Sequence, residues 1–262
     1  MINITGIYIF LFGLIIGSFL NVCIYRIPKK FSIVFPPSAC PACNHKIKPT
    51  DNIPILSYIL LLGRCRYCKK RISLRYPLVE LLNAVLYIAV FNRFGLNFDG
   101  IFYMALMSTL IVITFIDIDH MIIQDEITIP GIIIALLAGM IFLTDPVIYG
   151  NNLGVKGAII GFLAGGGLFL FISILSRGGM GGGDIKLMAL FGACLGWKAV
   201  LMITFLGSLF GSIYGIILMI FKGKGRKTPV PFGPFLAVGA IICILYGREL
   251  LALYLGHNLI KL

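Results

Sequence analysis

The chain has 262 residues, 59% of them hydrophobic and only 12% charged, with a mean hydropathy of +1.02. Those values exclude a soluble domain and mark an integral membrane protein. The net charge of +12 does not indicate nucleic acid, because the basic residues sit in short loops between apolar runs, where anionic lipid and topology account for them.

The first apolar run, ITGIYIFLFGLIIGSFLNVCIY over residues 4–25, has no basic region before it and no small-residue cleavage site. It is therefore expected to be a retained membrane helix. Residues 27–76 follow as the one long polar connection, expected to form a small subdomain, within which NIPILSYILLLG at 52–63 is too short to cross a bilayer. Further apolar segments lie near 77–92, 100–116, 127–144, 155–175, 185–197, 198–221 and 233–255, giving eight predicted spans in an all-α polytopic fold. The sixth is short, with its boundary to the seventh at GWK, residues 196–198. The predicted organisation is a first helix over 1–26, a cysteine-bearing subdomain over 27–76 and a membrane domain over 77–262.

Basic residues set the orientation. Eleven lie between Arg26 and Arg75, and six more flank the fifth-to-sixth and seventh-to-eighth connections: Arg177, Lys186, Lys222, Lys224, Arg226 and Lys227. The alternate set holds five: Arg93, Lys156, Lys198, Arg248 and Lys261. The positive-inside rule then places both termini outside and the 27–76 segment in the cytosol.

Inside that segment, CPAC and CRYC present Cys40, Cys43, Cys65 and Cys68 as two C-x-x-C pairs 21 residues apart. Each turn can set two thiolates on one ion, and two turns complete the tetrahedral set that zinc prefers. A reducing cytosol disfavours disulfides as the alternative; four reduced thiols in a loop are the plainer one. Cys23, Cys194 and Cys243 lie in apolar spans, where cysteine serves as a small core hydrophobe.

Acidic residues number ten, and a carboxylate at membrane depth is costly enough to be a functional candidate. Two stretches stand out: FIDIDHMIIQDEITIP at 115–130 and RGGMGGGDIK at 177–186. Asp117 is expected to close the third span, with Asp119, Asp125 and Glu126 in the connection after it, and Asp184 to open the sixth. Two carboxyl groups at similar depth can share one proton, one acting as base toward water while the other polarises a peptide carbonyl. The plain reading of Asp119, Asp125 and Glu126 is solvated interfacial charge. Glu80 is expected to pair with Arg75. The glycines before Asp184 permit a non-helical backbone against which an extended peptide could lie.

With those residues placed, the sequence resembles the type IV prepilin peptidases, the bifunctional leader peptidases and N-methyltransferases of pilus and type II secretion systems. The resemblance runs through GSFLNVCIYRIP at 17–28, both C-x-x-C pairs, NIPILSY at 52–58, RYPLVELL at 75–82, FIDIDHMIIQDEITIP, GGGD at 181–184 and PFGPFLAVGA at 231–240. It implies a membrane aspartic protease that cuts prepilins or pseudopilins on the cytosolic side, after a glycine ending a short basic leader. The implied catalytic pair is Asp117 and Asp184. Asp117 is favoured over Asp119 because the family places its catalytic aspartate eight positions before an acidic or amide residue, here Asp125. Gln124 stands where relatives commonly carry proline. The resemblance also implies methylation of the new amino terminus with S-adenosylmethionine, with no residues assigned to that cofactor. On this reading Asp119, Asp125 and Glu126 would attract a basic leader. A transporter using Asp117 and Asp184 as cation ligands, or a zinc-bearing scaffold for secretion, are the competing readings.

Overall fold

A computed structural model describes residues 4–148, 152–177, 179–222 and 230–255. Gly178, His257 and, from the orientation count, Lys224, Arg226, Lys227 and Lys261 lie outside the described residues. Every regular element among the described residues is helical, accompanied by three isolated bridges. The helices are α1 (Ile4–Arg26), α2 (Leu56–Leu60), α3 (Arg75–Phe94), α4 (Phe98–His120), α5 (Asp125–Ile141), α6 (Gly154–Leu175), α7 (Gly182–Lys222) and α8 (Gly233–Leu255). The chain divides into two compact units, Met1–Val112 and Ile113–Leu262, with the boundary inside α4.

In the first unit, α1 packs on α3 through small residues. A Cβ on Gly13 would lie 2.7 Å from the Ala84 Cα, and one on Gly17 2.6 Å from the Glu80 Cα, so only glycine lets these backbones approach. The contact is then fastened by polar side chains that have no water to turn to. Asn83, fully buried, donates from Nδ2 to the Gly13 carbonyl at 2.7 Å and accepts the Ser108 hydroxyl at 2.8 Å. Ser108 in turn lies 3.0 Å from the Tyr87 hydroxyl, and Asn21 Nδ2 donates to the Tyr76 carbonyl. A fully paired network of this kind fixes the register of α1 on α3, since a slip would strand amides in hydrocarbon.

The second unit repeats the device. On α6, Gly161 and Gly165 face Gly192 and Met188 of α7, where added Cβ atoms would fall about 2 Å from the opposing carbonyl oxygens. The mid-span glycines of GFLAGGGLFLF therefore serve helix packing. Gly167, on the same run, has open space around it.

Six helices are long and apolar enough to cross a membrane, among the described residues: α1 with its following turn, α3, α4, α6, α7 and α8. The expected eight differ from this for two physical reasons. The fourth predicted span appears as α5, whose 17 residues fall short of that length. The sixth and seventh run together as α7, a helix broken at Gly196, whose φ of 81° and ψ of 170° belong to glycine. The break falls on the first residue of GWK, where the sequence places the boundary.

Candidate active site and metal centre

Asp117 lies one turn before the end of α4 and is buried, 4% exposed. The helix does not close at Asp117 as expected from sequence. It continues to His120 and ends where Met121 adopts a left-handed conformation and donates its N–H to the Asp117 carbonyl at 2.8 Å. Asp119 therefore sits, exposed, in the last turn of α4. Asp125 and Glu126 likewise belong to a helix, the first turn of α5, where the positive end of the macrodipole favours them. Gln124 caps that helix with a φ of −73°, which a proline would also adopt.

Asp117 Oδ2 accepts the Gly233 N–H at 3.0 Å. Gly233 is the first residue of α8, so its N–H is one that the helix itself cannot satisfy, and the Asp117 carboxylate caps it from another helix. Pro234 follows, with no N–H to place.

Asp184 stands in the first turn of α7, half-buried, close enough to Asp117 for their charges to act on each other. Its own N–H donates to the Gly181 carbonyl at 3.1 Å. α6 ends at Leu175 and α7 begins at Gly182, with Arg177 at a φ of 53°. Ile123 joins the two halves of the site. A Cβ on Gly183 would meet its Cβ at 2.6 Å, and one on Gly233 would meet its Cδ1 at 3.2 Å and the Asp117 Oδ2 at 2.7 Å. Beside the pair, Lys186 bonds Asp125 in an exposed ion pair that ties the start of α7 to the start of α5.

The arrangement thus sets Asp117 and Asp184 on either side of Ile123 and leaves Asp119, Asp125 and Glu126 exposed. Sequence reasoning missed Gly233 and Ile123. PFGPF did mark the first, but only as part of a resemblance, and nothing distinguishes Ile123 from its apolar neighbours. Glu80, 8% exposed, accepts the Ile55 N–H at 2.8 Å, in place of the expected bond to Arg75.

The cysteines converge within the first unit. All four Sγ atoms lie within 4.8 Å of one another, with Cys40 to Cys68 at 3.9 Å and Cys43 to Cys65 at 4.0 Å. Tetrahedral Zn–S bonds of about 2.3 Å require sulfur separations of about 3.8 Å, so the donor set fits zinc. Two matching turns build it. Cys40 N–H bonds the His45 carbonyl and Asn44 N–H the Cys40 carbonyl; Cys65 and Lys69 repeat this with Lys70 and Cys65. Asn44 and Lys69 are both left-handed, and bridges Ala39 to Lys46 and Arg64 to Arg71 close the bases. Backbone N–H groups of Cys68 and Tyr67 draw the Cys65 thiol down to about 7. The His45 N–H pulls on Cys43 too, but lost hydration and the three other thiols outweigh it and push Cys43 up to about 11. Arg66 grips Asp51 through Nε to Oδ2 at 2.8 Å and Nη2 to Oδ1 at 2.6 Å, holding that carboxyl below the usual range.

Comparison with known proteins bears on both regions. Residues 11–94 match the bacterial peptidase A24 N-terminal domain, and residues 104–216 match the type IV leader peptidase family. A protein of Aeromonas salmonicida named prepilin leader peptidase/N-methyltransferase is 38% identical over 95% of this chain and 93% of its own. Proteins of the same name from Pseudomonas aeruginosa (35% identical; 94% and 91%) and Legionella pneumophila (34%; 94% and 93%) are also similar. No solved structure matches the chain.

Proposed function

This chain belongs to the type IV leader peptidase family, and from that premise we propose that Asp117 and Asp184 are the acid pair with which it cuts its substrate. It is a membrane protease that removes the leader peptides of type IV prepilins and N-methylates the products. The observation that carries the assignment is that Ile123 packs against both Gly183, next to Asp184 at the start of α7, and Gly233, whose N–H holds buried Asp117, so the two carboxyls stand on either side of one side chain.

The chemistry follows from that meeting. Two acids within each other's field hold one proton between them. The ionised member takes a proton from water as it attacks the scissile carbonyl; the protonated member donates to the carbonyl oxygen as charge develops there. The proton then passes to the leaving amine. Gly182, the first residue of α7, has open space around it where an extended substrate can approach Asp184, and Ile123 packs beneath the adjacent Gly183.

The finer reading takes α5 and the two halves of α7 as separate crossings, giving eight spans with both termini outside. The acid pair and the 27–76 subdomain then face the cytosol, which the distribution of basic residues supports. The organisation is a first helix over 1–26, a cysteine subdomain over 27–76 and a peptidase domain over 77–262. Cys40, Cys43, Cys65 and Cys68 hold a structural zinc, whose bonds tie the two turns together. S-adenosylmethionine supplies the electrophilic methyl group, and the leader is removed after a glycine.

Incubation of purified protein with a prepilin tests the pair. Wild type removes the leader, while Asp117→Asn and Asp184→Asn, which keep size but cannot ionise, lower the rate by about 10²-fold or more. Cleavage surviving Asp184→Asn would overturn the assignment and favour the transporter or scaffold reading.

A further inference from the structure

A cavity of about 660 Å³ lies within the first unit, between the C-terminal half of α1 and the loops at 33–38 and 52–54. Its size falls in the range of about 300–1,000 Å³ found for small-molecule sites. Both loop walls are fastened by side chains. Arg26 donates from Nη1 to the Ser32 carbonyl at 2.9 Å and from Nη2 to the Pro36 carbonyl at 2.7 Å, drawing the first loop over the end of α1. Ser57 accepts the Ile53 N–H at 2.9 Å and donates to the Thr50 carbonyl, while Glu80 accepts the Ile55 N–H, fixing the second. Pro36, Pro37 and Pro54 stiffen these walls, so the space is held open by its surroundings.

Its lining has a distinctive chemistry. Two of the five N–H donors of Arg26 are used by carbonyls, and among the described residues no carboxylate pairs with the guanidinium. An anion is the partner such a group lacks. The Phe19 ring, 45% exposed, and the proline faces offer flat apolar surface, and Ser38 and Asn52 add hydrogen-bonding groups between them. Ser18 also lines the cavity, and Glu80 accepts the N–H of Ile55, the residue after the lining Pro54, so a carboxyl group stands close behind that wall. The space thus presents a cation for an anionic group, flat faces for a ring, amide and hydroxyl groups for polar edges, and a carboxyl group nearby.

We propose that this cavity is the site of the methyl donor, an adenosyl sulfonium amino acid, with its carboxylate on Arg26 and its heterocycle against Phe19 and the prolines. The proposal rests on the methyltransferase reading above, and it places the methylation machinery in the first unit. A phospholipid would also satisfy Arg26, but acyl chains have no use for the polar groups that interrupt the lining.

Photo-cross-linking of labelled S-adenosylmethionine to the full-length, zinc-loaded protein, followed by peptide mapping, tests the site without reference to turnover. Label is expected in peptides containing residues 33–38 or 52–54 and is displaced by excess S-adenosylhomocysteine. Affinity for S-adenosylhomocysteine, measured by calorimetry, is expected to fall at least tenfold in Arg26→Gln. Because that change also loosens the 32–36 loop, Val34→Trp, which fills the cavity and keeps both Arg26 bonds, is expected to do the same. Zinc content and thermal midpoint certify that each variant is folded. Label confined to other peptides, or affinity unchanged in Val34→Trp, overturns the proposal. So does labelled phosphatidylglycerol that marks the same peptides and resists displacement by S-adenosylhomocysteine. A wild-type protein that methylates a pre-cut prepilin but is labelled elsewhere sinks the site alone; one that neither methylates nor binds sinks the methyltransferase reading with it.

Discussion

Replacing Gly233 with alanine changes the candidate site by one carbon. Gly233 has no left-handed backbone to protect, so alanine is conformationally acceptable and the effect must come from contact. The new Cβ would lie 2.7 Å from Asp117 Oδ2, against 3.4 Å for an ordinary contact, so the carboxylate must move by about 0.7 Å. That movement weakens the bond from the Gly233 N–H, now 3.0 Å. A hydrogen bond to a charged group contributes about 1.5–3 kcal/mol, and displacing a reacting group by about 1 Å costs on the order of 10²-fold. Both lines give a fall of about tenfold to about hundredfold in kcat/KM for leader removal. The assay is cleavage of a purified prepilin at several concentrations, with Gly167→Ala, whose Cβ meets nothing within 4 Å, as the control. Activity of Gly233→Ala within twofold of wild type, or an equal fall in Gly167→Ala, would refute the role given to the Gly233 bond.

The cysteine centre predicts one tightly held zinc per chain by metal analysis; Cys65→Ser, or a strong chelator, should remove it and lower the thermal midpoint. Acid should release the metal as protons compete for the thiolates. Packing of α6 on α7 predicts that Gly192→Ala, whose Cβ would fall on the Gly161 carbonyl, destabilises the protein by about 1–3 kcal/mol in reversible unfolding, while Gly167→Ala is neutral. Neutralising Asp119, Asp125 and Glu126 together should raise KM for basic-leader substrates with kcat nearly unchanged; an unaltered KM would end the idea that these acids attract the leader. At the Arg66–Asp51 pair, the folded carboxyl lies below its unfolded value, so its stabilising effect is present above about pH 4 and fades as pH falls through the folded value. Asp51→Asn should therefore speed zinc exchange at pH 7.

The helical, membrane-bound character of the chain was legible because hydropathy is a local signal that tertiary structure seldom reverses. The cysteine tetrad was legible for a similar reason: the metal imposes its geometry on a spacing that can be counted. Helix ends were less so. Rising polarity at Asp119, Asp125 and Glu126 reads as a loop, yet α4 runs on to a left-handed Met121 and α5 begins at Asp125, so all three lie in helices. The site's supporting contacts were illegible. Gly233 lies 116 residues from Asp117, and only the fold shows that an orphan N–H on α8 meets that carboxylate. Glu80 shows the same limit, its nearest opposite charge in sequence being a poorer guide than the Ile55 amide that reaches it in space.

The break at Gly196 has a further consequence, which concerns the thickness of the bilayer. Residues 182–195 form the first half of α7, about 21 Å of helix at 1.5 Å per residue, against about 30 Å of hydrocarbon. Trp197 and Lys198 follow at once, and both are residues that anchor at a headgroup boundary. On the proposed reading that makes the two parts of α7 separate crossings, that boundary sits at Gly196 and the other end of the shorter part falls about 9 Å short of the opposite headgroups. Asp184, at that end, is then reached by water only where the lipid around it thins. On that reading the short helix draws the aqueous surface inward toward the proposed acid pair, so hydrolysis in a thick bilayer should be slower than in a thin one.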